Sequence, residues 1–144
     1  MCMLDDSDPW DFFHDETRRA AKPYRCCECN RWIGKGERHR YATGLFDRNW
    51  IAYRMCAQCD EATRWLMAVC NGYMFETVDE DLGMHIRGQE EGYLSSSHLV
   101  RLVRWMRDDW KDRDGTLRSV DQVKAVTDSA IAAYQSRYAV AVAS

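Results

Sequence analysis

The chain has 144 residues, 46% of them hydrophobic and six of them Trp, which is enough to build a packed core and excludes wholesale disorder. Its apolar runs are only a few residues long, so no segment reads as a membrane span. The net charge of −3 hides a segregation: residues 1–17 carry six acids and no Lys or Arg, residues 18–54 carry ten Lys or Arg against three acids, and residues 55–100 turn acidic again.

In chain order, residues 1–23 form an acidic segment in which 5–22 read as a short amphipathic helix, with Ser7 or Asp8 as cap and Pro9 in the first turn. Trp10, Phe12 and Phe13 are expected to dock on the core, and Trp10 and Phe13 are also the candidates for contact with a partner. The start, Met1-Cys2-Met3-Leu4 followed by acids, lacks the basic and apolar regions of a secretory signal. The chain is therefore read as cytoplasmic.

Residues 24–72 carry the strongest signal. Cys26-Cys27-Glu28-Cys29 is followed after 26 residues by Cys56-Ala57-Gln58-Cys59. Two residues between paired cysteines let both thiolates face one ion, and two such pairs supply the tetrahedral thiolate set that structural zinc takes. Cys26 rather than Cys27 keeps the two-residue gap to Cys29. The expectation is one structural zinc on Cys26, Cys29, Cys56 and Cys59. Asn30 suits a left-handed turn, Gly34 and Gly36 turn the chain again, and 37–43 and 49–55 read as the strands of a hairpin. The second pair opens a helix that stops at Asn71-Gly72. Trp32 and Trp50 are expected in the core, His39 on the surface, and Cys70 as a buried free thiol.

Residues 73–144 read as mainly helical and packed on this module. Thr77 and Glu80 form a capping box for a helix over 77–87. A second helix runs over 97–111, with Leu99, Leu102, Val103, Met106 and Trp110 at helical spacing and Arg101, Arg104, Arg107 and Lys111 on another side. Ser119 and Gln122 cap a last helix. The final two helices are expected to form a hairpin, with oligomerisation through them as an option.

Knuckle, hairpin and then a helix whose first turn carries the second pair resembles the treble-clef zinc fold over about half of the chain. The pattern Cys26-x-x-Cys29-x-x-x-Ile33-x-x-Gly36-Glu37-Arg38, with Trp50 shortly before Cys56, resembles small zinc-finger proteins of tailed phages and prophages. The fold class expected is thus α+β, a zinc-binding treble clef with a C-terminal helical hairpin. Poly(ADP-ribose)-polymerase-type fingers share part of the pattern but use a His in the second pair, where this chain has Cys56. Their recognition of DNA nicks is therefore not carried over.

No catalytic constellation stands out. His14, Glu16, Pro23 and Cys26-x-x-Cys29 fall short of a zinc-deaminase signature, because the first gap is too short, Pro23 is not adjacent to a Cys and the second pair would have no purpose. Four thiolates also leave no open position for catalysis, so the chain is read as no enzyme. The favoured function is an adaptor or modulator, phage-encoded by resemblance, that binds a host or phage protein, with Trp10, Phe13, Asp79, Glu80 and Asp81 as candidate contacts. The alternative is a nucleic-acid-binding finger using Arg25, Arg31, Lys35, Arg38, Arg40, Arg48 and Arg54, because these cations are interleaved with aromatic residues.

Overall fold

A computed structural model describes residues 12–87 and 97–143. The protein is α+β. Five strands, β1 (Phe12–Arg19), β2 (Tyr24–Arg25), β3 (Trp32–Ile33), β4 (Arg38–Phe46) and β5 (Asn49–Cys56), precede four helices, α1 (Ala57–Cys70), α2 (Val78–Arg87), α3 (Ser97–Arg107) and α4 (Val120–Ala143). β1, β4 and β5 form an antiparallel sheet with β4 in the centre, and β2 pairs with β3 in a two-residue ribbon.

The expected hairpin is present. β4 and β5 pair from His39 opposite Cys56 to Phe46 opposite Asn49, and Asp47 and Arg48 make the turn with φ of 46° and 64°. Asn30 adopts the expected left-handed backbone at φ 65°, and Asn71 ends α1 in the same conformation at φ 59°. Gly36 sits at φ 84° in the turn before β4, where a side chain would be strained.

The expected helix over residues 5–22 is corrected within its described part. Phe12–Arg19 is a strand, running from Phe12 opposite Leu45 to Arg19 opposite Arg38. From Phe13 to Arg19 its side chains are largely exposed, so it does not need the apolar stripe that a docked helix would need. The ladder to β4 and cross-strand charge hold it instead: the Asp15 carboxylate accepts from Arg40 Nε at 2.8 Å, and the Arg18 guanidinium lies 3.9 Å from the centre of the Tyr41 ring. Phe13 is 44% exposed rather than docked. Trp10 lies outside the described residues.

One core runs through the described chain, from Ala20 and Ile33 through Met55, Trp65 and Leu66 to Leu82, Leu102, Trp110 and Val123. α1 packs on α4, α4 on α3 and α3 on α2. The last two helices thus lie against the rest of this same chain. α3 stops four residues before the expected end. Asp109 and Trp110 turn left-handed at φ 55° and 62°, and the Trp110 amide reaches back to the Trp105 carbonyl at 2.7 Å. The last helix has its expected cap: Gln122 N donates to Ser119 Oγ at 3.2 Å and Ser119 N donates to Gln122 Oε1 at 2.8 Å.

The cap of α2 is not the one expected. Thr77 Oγ1 donates to the Met74 carbonyl at 3.2 Å, and the amides of Glu76 and Val78 donate to the two carboxylate oxygens of Glu28 at 2.6 and 3.1 Å. A side chain from the cysteine knuckle therefore holds the start of a helix fifty residues away. No helix among the described residues is long and apolar enough to cross a membrane.

The strand assignment of β1 has a direct check. In hydrogen exchange of the folded protein, alternate amides along residues 13–19 should be slow, since only every second amide of an edge strand faces its neighbour. Consecutive slow amides would indicate the helix instead.

Candidate metal centre

The centre is assembled at the junction of three local structures. β2 enters a tight turn in which Asn30 N donates to the Cys26 carbonyl at 3.1 Å, and Cys26 N to the Arg31 carbonyl at 2.9 Å. This turn presents Cys26 and Cys29. β5 ends on Cys56, which is also the N-cap of α1, its sulfur accepting from the Cys59 amide at 3.4 Å. Cys59 follows in the first turn of α1. The backbone dipole there favours thiolate over thiol.

The four sulfur atoms lie within 4.8 Å of one another. Cys29 Sγ and Cys56 Sγ are 3.8 Å apart, which is about the edge of a tetrahedron with metal–sulfur bonds of about 2.3 Å. Cys26, Cys56 and Cys59 are buried and Cys29 is half-buried. Such a set can hold one metal ion. The expected preference for Cys26 over its neighbour agrees with this geometry, because Cys27 is not a member of the cluster. The Cys27 thiol donates to Glu28 at 3.2 Å instead, and burial, followed by the charge of Glu28, pushes its pKa far up.

Donors surround the sulfurs. Cys26 Sγ accepts from the amides of Glu28 at 3.4 Å and Cys56 at 3.3 Å. Cys59 Sγ accepts from the indole Nε1 of Trp110 at 3.2 Å. Hydrogen bonds from Cys29, Cys56 and Cys59 hold the Cys26 thiol below its ordinary pKa, whereas burial pushes Cys56 and Cys59 up. Four crowded, buried sulfurs ionise together only when a cation replaces their protons.

Trp110 is the member of this site that sequence reasoning missed. It was placed on the apolar side of a helix, and only the left-handed turn after α3 carries it to the sulfur. Its side chain is fully buried, and a φ of 62° on so bulky a residue marks a backbone held by its surroundings.

A second connection runs through Arg31. Its guanidinium bonds to Glu37 Oε2 and to Gln58 Oε1, each at 2.7 Å, and Gln58 Nε2 donates to the Arg118 carbonyl at 2.9 Å. Burial alone would lower the Arg31 pKa, but Glu37 and Cys56 outweigh it and hold the group charged. A fixed cation beside Cys56 offsets the negative charge of a four-thiolate site.

The remaining candidates separate by environment. Arg31 is 5% exposed and belongs to the interior. Arg40 is half-buried against Asp15 and Asp60. Arg54 is sandwiched by Tyr24 and Tyr41, 3.7 and 4.5 Å from their ring centres. Arg25 lies 4.2 Å from the centre of a Trp32 ring and donates to the Asn30 carbonyl at 2.8 Å. Lys35, Arg38 and Arg48 are exposed. Of the acidic candidates, Asp79 pairs with Arg107 at 3.1 Å, Asp81 accepts from Thr77 at 3.4 Å, and Glu80 is exposed.

Three expectations are overturned here. Trp32 and Trp50 are not core residues but 57% and 66% exposed. His39 is buried, under Tyr24 and beside Arg54, whose Nη1 lies 3.1 Å from its Nε2. Its opposite number across the ladder is Cys56, which turns that row toward the interior. Cys70 is half-buried and disulfide-bonded rather than a free thiol.

Trp110→Phe preserves the ring packing and removes one N–H···S bond. Metal binding is expected to weaken about tenfold with the fold retained, read by competition with a chromophoric chelator. An unchanged affinity would show that the indole only packs. Compared with protein-family models, with curated proteins and with solved structures, the chain matches none.

Proposed function

We propose that this chain is a non-enzymatic binding module whose scaffold is one structural zinc ion held by Cys26, Cys29, Cys56 and Cys59. The observation that carries the reading is the convergence of four sulfur atoms from two sequence-distant pairs within 4.8 Å. Four thiolates in that compass suit zinc above harder cations, and they fill its coordination shell, leaving no position for a substrate. The order of knuckle (Cys26–Asn30), hairpin (β4 and β5) and helix (α1, beginning beside Cys56) supports a treble-clef reading of this half of the chain.

The zinc would act on folding rather than on a reaction. β2 and β3 have two residues each, and so short a ribbon does not stand alone in water. Structural zinc contributes about 10–16 kcal/mol in finger peptides near neutral pH, comparable to the whole stability of a domain.

With no open metal position, function falls to the surfaces that the scaffold holds in place. The resemblance to small phage zinc fingers supports an adaptor that engages a macromolecule of a bacterial host or of the phage. Retention of a single protein from bacterial lysate by the zinc-loaded chain, unaffected by nuclease, would establish an adaptor, and retention abolished by nuclease would establish a nucleic-acid binder.

Elemental analysis of the purified protein should give about one zinc per chain, with most of it lost in Cys56→Ser. Chelation at neutral pH should unfold residues 24–72, seen as loss of far-ultraviolet signal and of amide protection. A metal-free chain that keeps its native spectrum would overturn the scaffold reading.

A further inference from the structure

The two faces of the three-stranded sheet differ. On one, α1 packs against β4 and β5, Tyr53 stacks on Phe75 with ring centres 4.5 Å apart, and Arg40 lies 5.6 and 5.5 Å from the centres of the Tyr73 and Phe75 rings. That face is covered. The register puts Glu16, Tyr41 and Arg54 in one row of the opposite face, His14, Thr43 and Ala52 in the next, and Leu45 beside Trp50 in the last described one. Directly opposed residues share a face, so beyond the buried row of His39 and Cys56 this second face runs open to the hairpin tip.

Here cations and rings alternate. Arg18 lies on Tyr41, Arg54 lies against both Tyr41 and Tyr24, and Lys22 Nζ is 5.6 Å from the centre of the Tyr24 ring. About 13 Å along β5 from Arg54, by the rise of a strand, Trp50 is two-thirds exposed. Among these described residues, the cations Arg18, Lys22 and Arg54 meet one carboxylate, Glu16, which bonds to Arg18. The rings hold the guanidinium planes in fixed positions, so little side-chain freedom remains to be lost on binding.

We infer that this open face binds single-stranded nucleic acid, with Arg18, Arg54 and Lys22 on the phosphates and Trp50 stacking on a base. Charge and ring chemistry together choose this occupant. An acidic protein surface would use the cations but not the exposed indole, and a duplex would keep its bases stacked away from it. The inference rests on the zinc-scaffold reading in one respect: Arg54 lies two residues before Cys56, and its carbonyl accepts from the Cys27 amide of the knuckle at 2.8 Å.

The test is fluorescence anisotropy of the zinc-loaded full chain with mixed-sequence 12-mers of single-stranded DNA and of single-stranded RNA, the matching duplex, and poly-glutamate as an anionic competitor. The expected result is binding of the single strands in preference to the duplex, with log affinity falling against log salt at a slope of about −2 to −3. Trp50→Ala and Arg54→Gln should each weaken binding about tenfold, while Lys124→Gln, on α4, should leave it unchanged. Because Arg54 also packs on Tyr24, the exposed Arg18→Gln serves as a second variant less exposed to folding defects, with an expected loss of several-fold. Absence of binding by a zinc-loaded, folded protein would overturn the inference and leave the scaffold reading standing. Equal binding of the duplex would overturn it as well, and so would equal competition by poly-glutamate, which would point to an acidic protein partner. Single-strand binding by a chain containing no zinc would uphold the inference and sink the scaffold reading instead.

Discussion

The rest of the structure is arranged around four sulfur atoms brought within 4.8 Å of one another. Ionised, they repel in a buried site; protonated, they are weak donors with poor partners. The proposed zinc resolves this, and in doing so it fixes the relative positions of the knuckle, the end of β5 and the start of α1. Each of these is weak alone: a two-residue ribbon, one edge of a hairpin and the unsatisfied first turn of a helix. The same cysteine, Cys56, closes the strand and caps the helix, so the chain has no linker there that could let the two elements drift.

The centre also reaches into the second half of the chain by three separate routes. Trp110 donates to the Cys59 sulfur. Gln58 connects the buried Arg31 to the carbonyl of Arg118. Glu28, within the knuckle itself, accepts the amides at the start of α2, although burial pushes its carboxyl above the ordinary range. The Trp110–Cys59 and Arg31–Gln58 contacts are buried, where loss of one partner leaves the other unsatisfied. Residues 73–87 and 97–143 are thus tied to the cysteine cluster as well as packed on it, and loss of the proposed zinc should propagate beyond the cysteine module.

The candidate metal site was legible because its information is local. Cys-x-x-Cys fixes two ligands at once, Asn30 and Asn71 announce left-handed turns, and Ser119 with Gln122 announces a helix start. Trp110 was not legible as a site residue, since its period matched the core side of α3 and nothing in the string signals that Asp109 turns left-handed. Phe12–Arg19 is misread for a related reason: three apolar-leaning residues at helical spacing stand in for a pattern, whereas β1 is stabilised by the edge of β4, which is distant in sequence. Glu28 shows the same limit. Thr77 and Glu80 have the spacing of a capping box, but the start of the helix is held instead by a carboxylate from the knuckle, which takes the amides of Glu76 and Val78.

The basic block illustrates how far charge counting carries. Ten cations fall in residues 18–54, yet the fold assigns them different work. Arg31 is consumed by Glu37 and Gln58, and Arg40 by Asp15 and Asp60. The acidic N-terminal stretch, through Asp15 and Glu16, thereby neutralises part of the block from within the sheet. What survives is not the total but the subset stacked on rings: Arg54 between Tyr24 and Tyr41, and Arg18 on Tyr41, the latter also bonded to Glu16. A guanidinium stacked on a tyrosine keeps its outward N–H donors for a ligand, while one bonded to a carboxylate stays charged but has that charge offset and some of its donors engaged by the partner. Alternation along β4 and β5 sends Arg40 to the covered face and Arg54 to the open one, so parity within two strands, rather than net charge, decides which cations a ligand can meet.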